Sequence, residues 1–245
     1  MARYKLTLEY DGTNFAGYQV QPEKRTIEGE LEKALECIYN QKVKTFASGR
    51  TDAGVHAYGA VVHFDAPKEL KHNRIADSLN AFLPEDVKVV ECQEVGEDFD
   101  ARFTAKQKTY VYKFYLSRNE RPLYQNRALR INVEADVDKM NKACKFLVGE
   151  HDFTSFVARK SGKTNFVRTI YSAGIEMTGD NEYQLKICGN GFLYNMVRII
   201  MGTLINVGYN RIAPEEVGKI IAAKDRKLAG KTMPPHALYL LSVVY

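Results

Sequence analysis

Tyr4-Lys5-Leu6-Thr7-Leu8-Glu9-Tyr10-Asp11-Gly12 sets the reading of the chain. Apolar and polar residues alternate from Tyr4 to Tyr10, the period of a half-buried strand, and Asp11-Gly12 turns the chain at its end. The period then changes. Ile27, Leu31, Ala34, Leu35 and Ile38 form one stripe at helical spacing. Thr26 stands at the N-cap position, and Glu28 and Glu30 sit in the first turn, where the helix dipole favours negative charge. A helix over 26–39 is predicted. Short strands fit 43–47 and 58–65. Ile75, Leu79 and Phe82 mark a second helix that stops before Pro84, and Val87 to Val95 reads as a further strand. The first half therefore runs β-α-β-β-α-β.

The second half repeats that order without repeating the sequence. Residues 109–116 read as a strand, followed by a basic, irregular stretch to about residue 131. Asp136 caps a helix carrying Val137, Met140, Cys144 and Leu147, closed by Gly149. Residues 169–178 and 182–188 form a hairpin across Gly179-Asp180-Asn181. A helix fits 192–207, a short one follows Pro214, and Leu238 to Val244 is the final strand. The β-α-β-β-α-β order is the ferredoxin-like arrangement. The fold class expected is α+β: two such halves sharing a large antiparallel sheet, with helices mainly on one face. The halves are placed at 1–105 and 106–245, with no flexible linker between them.

The chain has 245 residues, 45% of them hydrophobic and 27% charged. That composition excludes a disordered or collagen-like protein. Its four cysteines (Cys37, Cys92, Cys144 and Cys188) lie far apart without a C-x-x-C pair. This points to free thiols in a reducing, cytoplasmic compartment rather than to a zinc site or a disulfide framework. The N-terminal segment alternates too strictly for a signal peptide. The net charge of +5 is unevenly spread: residues 1–105 carry −5 and residues 106–245 carry +10. Such asymmetry fits a polyanionic partner facing the second half, although a solubilising surface would also produce it.

Three segments carry candidate chemistry. Gly49-Arg50-Thr51-Asp52-Ala53-Gly54-Val55-His56-Ala57 brackets Arg, Asp and His between two glycines. It reads either as a functional loop held by strands or as a plain turn in which Asp52 bonds its own backbone. Gly191 to Asn210 has one charge, Arg198, in an otherwise apolar helix. As a membrane span it is poor, because Asn195 and Asn206 interrupt it and a central Arg costs about 2.5–3.5 kcal/mol. A buried Arg198 needs a carboxylate partner, for which Asp52 is a candidate; otherwise it snorkels to water. In Lys108-Thr109-Tyr110-Val111-Tyr112-Lys113-Phe114, strand periodicity puts Tyr110, Tyr112 and Phe114 on one face. Rings beside lysines suit RNA bases, whereas an aromatic core face would account for two of the three.

Basic clusters at Arg118, Arg121, Arg127 and Arg130, at Arg159, Lys160, Lys163 and Arg168, and at Lys224, Arg226, Lys227 and Lys231 fit phosphate contacts. Other patterns fail. Ser161-Gly162-Lys163-Thr164 resembles a Walker A ending, but Val157 occupies the position of its first glycine. His56 and His63 are an odd number of residues apart on strand-like sequence, so they face opposite ways, and no metal site is expected.

Taken together, Tyr10-Asp11-Gly12-Thr13 with Gly17-Tyr18-Gln19, the Gly49–Ala57 segment, Lys108-Thr109-Tyr110-Val111-Tyr112 and Phe192-Leu193-Tyr194-Asn195-Met196-Val197-Arg198 resemble the TruA-type tRNA pseudouridine synthases. The resemblance runs from residue 4 to the C-terminal strand. It implies a homodimer that isomerises uridine to pseudouridine at positions 38, 39 and 40 of the tRNA anticodon stem-loop. No cofactor is implied, because nothing is oxidised and no group is donated. By matching position, Asp52 is implied to be catalytic, Tyr110 to stack on the target base, Arg198 to pair with Asp52, and Arg50 to hold the flipped-out nucleotide. Lys160, Lys163 and Arg168 are candidate tRNA contacts. Tyr18 stands where the family usually has Trp, and Ala237 where it usually has Gly. Two other classes compete: a non-catalytic binder of structured RNA, and a nucleotide-processing hydrolase using Asp52.

Overall fold

The computed structural model describes residues 2–68, 72–158 and 165–245. Within them are ten strands and five α-helices, an α+β architecture as the sequence predicts. The chain divides into two compact units. One comprises Met1–Lys106 with Tyr239–Tyr245, the other Gln107–Leu238.

In the first unit β1 (Arg3–Tyr10) lies between β3 (His56–Asp65) and β4 (Val87–Val95), antiparallel to both. Tyr4, Leu6, Leu8 and Tyr10 are buried, the face that the alternation selects. Each such leucine contributes about 1.5–3 kcal/mol by leaving water. β2 shrinks to Phe46–Ala47, paired with one end of β3. The other end of β3 pairs in parallel with β10 (Leu238–Val244), through Tyr239↔His56 and Leu240↔Ala57. Helix α1 (Ile27–Tyr39) starts where Thr26 accepts the Gly29 N–H, and its predicted stripe is buried at Ile27, Leu31, Ala34 and Leu35. Helix α2 (His72–Phe82) ends just before Pro84.

The second unit is built on β5 (Gln107–Leu116), β9 (Glu182–Gly189) and β8 (Val167–Gly179), antiparallel in that order. Two short strands were not predicted: β6 (Leu129–Ile131), parallel to β5, and β7 (Gly149–Asp152), antiparallel to β8. Asp136 caps α3 (Val137–Cys144), accepting the Lys139 N–H. Helix α4 (Met196–Gly208) begins four residues later than predicted. Asn195 adopts the left-handed conformation at φ 61° immediately before it, which breaks the helical path through Leu193 and Tyr194. Helix α5 (Glu216–Ala223) follows Pro214. Among the described residues, no helix is long and apolar enough to cross a membrane.

Candidate active site

The loop before β3 carries Arg50 and Asp52, and its flanks are locked. Thr51 is buried, its hydroxyl 2.8 Å from the Tyr10 hydroxyl, while its carbonyl accepts the Tyr18 N–H at 3.0 Å. On the other side the Val55 N–H donates to the Asp52 carbonyl at 3.1 Å, and Val55 and His56 are buried. Pairing of Tyr10 with Ala57 anchors the exit of the loop to β1. Between these fixed points Asp52 is half-buried, whereas Arg50 and Ala53 are exposed. Asp52 thus combines a constrained backbone with a half-buried position in the loop.

The clamp comes from the segment after β1. A Cβ on Gly12 would lie 2.0 Å from the Val55 carbonyl oxygen, so only glycine lets the two backbones meet. Gly17 has φ +106°, and a Cβ there would lie 3.0 Å from the Thr51 oxygen. The Gly12 N–H donates to Nδ1 of His56 at 3.1 Å, and Asp11 accepts the N–H and hydroxyl of Thr13 to close its turn. Nδ1 of His56 also lies 3.0 Å from Oδ1 of Asp11, and the buried ring stacks on Tyr239 with centroids 4.6 Å apart. His63, an odd number of positions along β3, instead accepts the Ala101 N–H.

In the second unit β5 carries three rings at alternate positions, Tyr110, Tyr112 and Phe114. Tyr112 and Phe114 are enclosed; Tyr110 stays half-exposed. Phe192 meets Tyr110 edge-on at 5.0 Å and 80°. Burial raises the Tyr112 pKa, against a smaller opposing effect of the Arg198 charge, so Tyr112 remains a phenol and donates its proton to the Pro234 carbonyl. Arg198, in the first turn of α4, is half-buried rather than enclosed. Its Nε donates to the Met233 carbonyl at 2.7 Å and a terminal nitrogen donates to Oδ1 of Asn195 at 2.6 Å. Arg168 is half-buried beside Gly191, and its guanidinium donates to the Val167 carbonyl. Lys160 and Lys163 lie outside the described residues.

A family model described as tRNA pseudouridine synthase matches residues 7–104 and 143–245. The chain belongs to this family. The tRNA pseudouridine synthase A of Anoxybacillus flavithermus is 48% identical to the synthase over 246 residues, covering 100% of this chain and 99% of that relative. Those of Bacillus subtilis and Bacillus licheniformis are 46% and 45% identical, each covering 99% of both chains. Tyr18 and Ala237, the two departures named above, are both buried in the synthase. Tyr18 is buried and forms part of the clamp through its backbone, and the Ala237 methyl is fully buried in the short turn before β10. Ala237 does not have a positive φ, so nothing in its backbone demands glycine.

Sequence reasoning assigned no role to Thr51, Phe192, Asn195 or Met233. Thr51, Phe192 and Asn195 sit inside the quoted motifs, but their partners are distant in sequence or chosen by local backbone twist. Met233 acts through its carbonyl, for which no side-chain signal exists.

Proposed function

We propose that this isomerase, which converts uridine to pseudouridine in the anticodon stem-loop of tRNA, acts at positions 38, 39 and 40 with Asp52 as its catalytic carboxylate. The observation that carries this reading is the Asp52 loop, whose carboxylate-bearing residue is half-buried between buried, hydrogen-bonded neighbours. The reaction breaks the N1–C1′ bond, turns the uracil and joins C5 to C1′; the hydrogen on C5 leaves and N1 gains one. Asp52 serves it by attacking C1′ or by removing the hydrogen at C2′. Both roles need the ionised carboxylate, and Arg198 is assigned to favour it. A primary isotope effect with deuterium at C2′ selects the second role; its absence selects the first.

The target base must leave its stack, which costs a few kcal/mol. The half-exposed position of Tyr110 supports a stacking role that offsets about 1–3 kcal/mol of this. Arg50, exposed two residues before Asp52, is assigned to hold the extruded nucleotide. Arg168, Lys160 and Lys163 are assigned to tRNA phosphates, supported by the basic balance of residues 106–245. A homodimer and a cytoplasmic location complete the reading; sedimentation of the purified protein at twice the chain mass tests the first.

Unmodified tRNA transcript carrying tritium at uracil C5 tests the function. The proposal expects tritium release from positions 38, 39 and 40 with the strand left intact. Binding without release would identify an RNA binder, and release of free base a hydrolase.

A further inference from the structure

Arg198 does not face its surroundings alone. Its Nε donates to the Met233 carbonyl, and the Met233 N–H donates back to the Arg198 carbonyl at 3.2 Å. The very next carbonyl, that of Pro234, accepts the Tyr112 hydroxyl at 2.8 Å. Tyr112 lies two positions along β5 from Tyr110, on the same face. Adjacent carbonyls of one segment thus hold the helix that carries Arg198 and the strand that carries Tyr110.

That segment, 230–234, is itself fastened to α4. A Cβ on Gly202 would lie 2.0 Å from the Lys231 carbonyl oxygen, so the segment runs directly on the helix backbone. Thr203 completes the attachment. Its hydroxyl donates to the Ile199 carbonyl at 2.9 Å and accepts the Gly230 N–H at 2.9 Å, and the side chain is buried. A hydroxyl has one proton. With that proton committed to Ile199, the oxygen is left to receive Gly230.

We propose that Thr203 is a positioning residue for the isomerisation: by clamping segment 230–234 to α4 it fixes the Arg198 guanidinium in register with the Tyr110 strand. The proposal rests on the roles assigned above to Arg198 and Tyr110. Thr203→Val keeps the shape and removes the hydroxyl; Thr203→Ser restores it. Tyr112→Phe releases the same segment from β5 and gives a second, independent probe.

The test is single-turnover tritium release with enzyme in excess, over a range of enzyme concentrations, for each variant alone and combined with Arg198→Lys. Thr203→Val is expected to lower the maximal rate by about tenfold to a hundredfold. The half-saturating concentration should change by less than about twofold, and Thr203→Ser should recover the rate. In the Arg198→Lys background, Thr203→Val and Tyr112→Phe should cost little more, because they act through the group already lost. Equal costs in both backgrounds, or a fall in melting temperature with an unchanged rate, would overturn the proposal. Should Thr203→Val fail to fold, the Tyr112→Phe pair decides by the same criterion. A wild-type rate for Arg198→Lys alone would instead remove the role of Arg198, and this inference with it.

Discussion

Tyr110, Tyr112 and Phe114 leave β5 in the same direction, yet they do different work. Phe114 stacks on Tyr183 with centroids 5.4 Å apart, and Tyr112 is pinned through its hydroxyl. Of the three, only Tyr110, opposite Ile187 near the end of the β5–β9 ladder, is half-exposed. Alternation put all three on one face but carried no information on where the covering helices stop. Tyr110→Leu keeps apolar bulk and removes the ring. It is expected to lower turnover about tenfold to a hundredfold, the worth of one base–aromatic stack, with melting temperature within a few degrees of wild type. Turnover within twofold of wild type would remove the stacking role. The four cysteines follow the same logic of position: Cys37 is exposed, while burial pushes the Cys144 thiol up to about 12, leaving it inert at neutral pH.

At the scale of elements, legibility followed periodicity. β1, α1 and the β8–β9 hairpin each have a capping or turn residue at the boundary and lie close to their predicted ranges, whereas α3 ends at Cys144 and a 3-10 turn carries the predicted Leu147. β7 is Gly-Glu-His-Asp and has no apolar alternation; it is a strand because β8 pairs with it. The predicted strand at 43–47 kept only Phe46 and Ala47, since β3 offers a partner to those two alone. The candidate loop was visible as a motif, but its clamp was not, because Gly12 and Val55 meet only in the folded chain. Gly12→Ala forces a methyl to within 2.0 Å of a backbone oxygen. It is expected to cost about 1–3 kcal/mol of stability, read as a melting temperature several degrees lower, and to slow turnover more than it weakens tRNA binding. A variant as stable and as fast as wild type would show that the close approach does not hold the loop.

For the molecule as a whole, titration sets the pH range of stability. Burial lowers the pKa of His63 and His236 from the ordinary 6.5, so the unfolded chain takes up protons that the folded one resists. Their contribution is present at neutral pH and is lost as pH falls below 6.5. Asp65, Asp136 and Asp152 are held below the ordinary 3.8 by hydrogen bonds from Arg3, from the Lys139 backbone and from Lys224. Their contribution survives to that pH and is lost below it. Melting temperature should therefore fall in two stages, between pH 7 and 5 and again below about pH 4; a flat profile from pH 7 to 5 would show that the histidines do not matter. The charge of the chain is split as its candidate residues are: the acidic residues 1–105 contain the proposed Arg50 and Asp52, and the basic residues 106–245 the proposed Tyr110 and Arg198.

The central claim is that one carboxylate, Asp52, carries the isomerisation. Asp52→Asn keeps the shape and the loop while removing the charge. Its single-turnover tritium release from C5-labelled tRNA, measured beside its tRNA affinity, tests that claim most directly. The account predicts a rate lower by about 10⁴-fold or more with affinity within a few-fold of wild type. Release at a rate near that of the wild-type chain would contradict it.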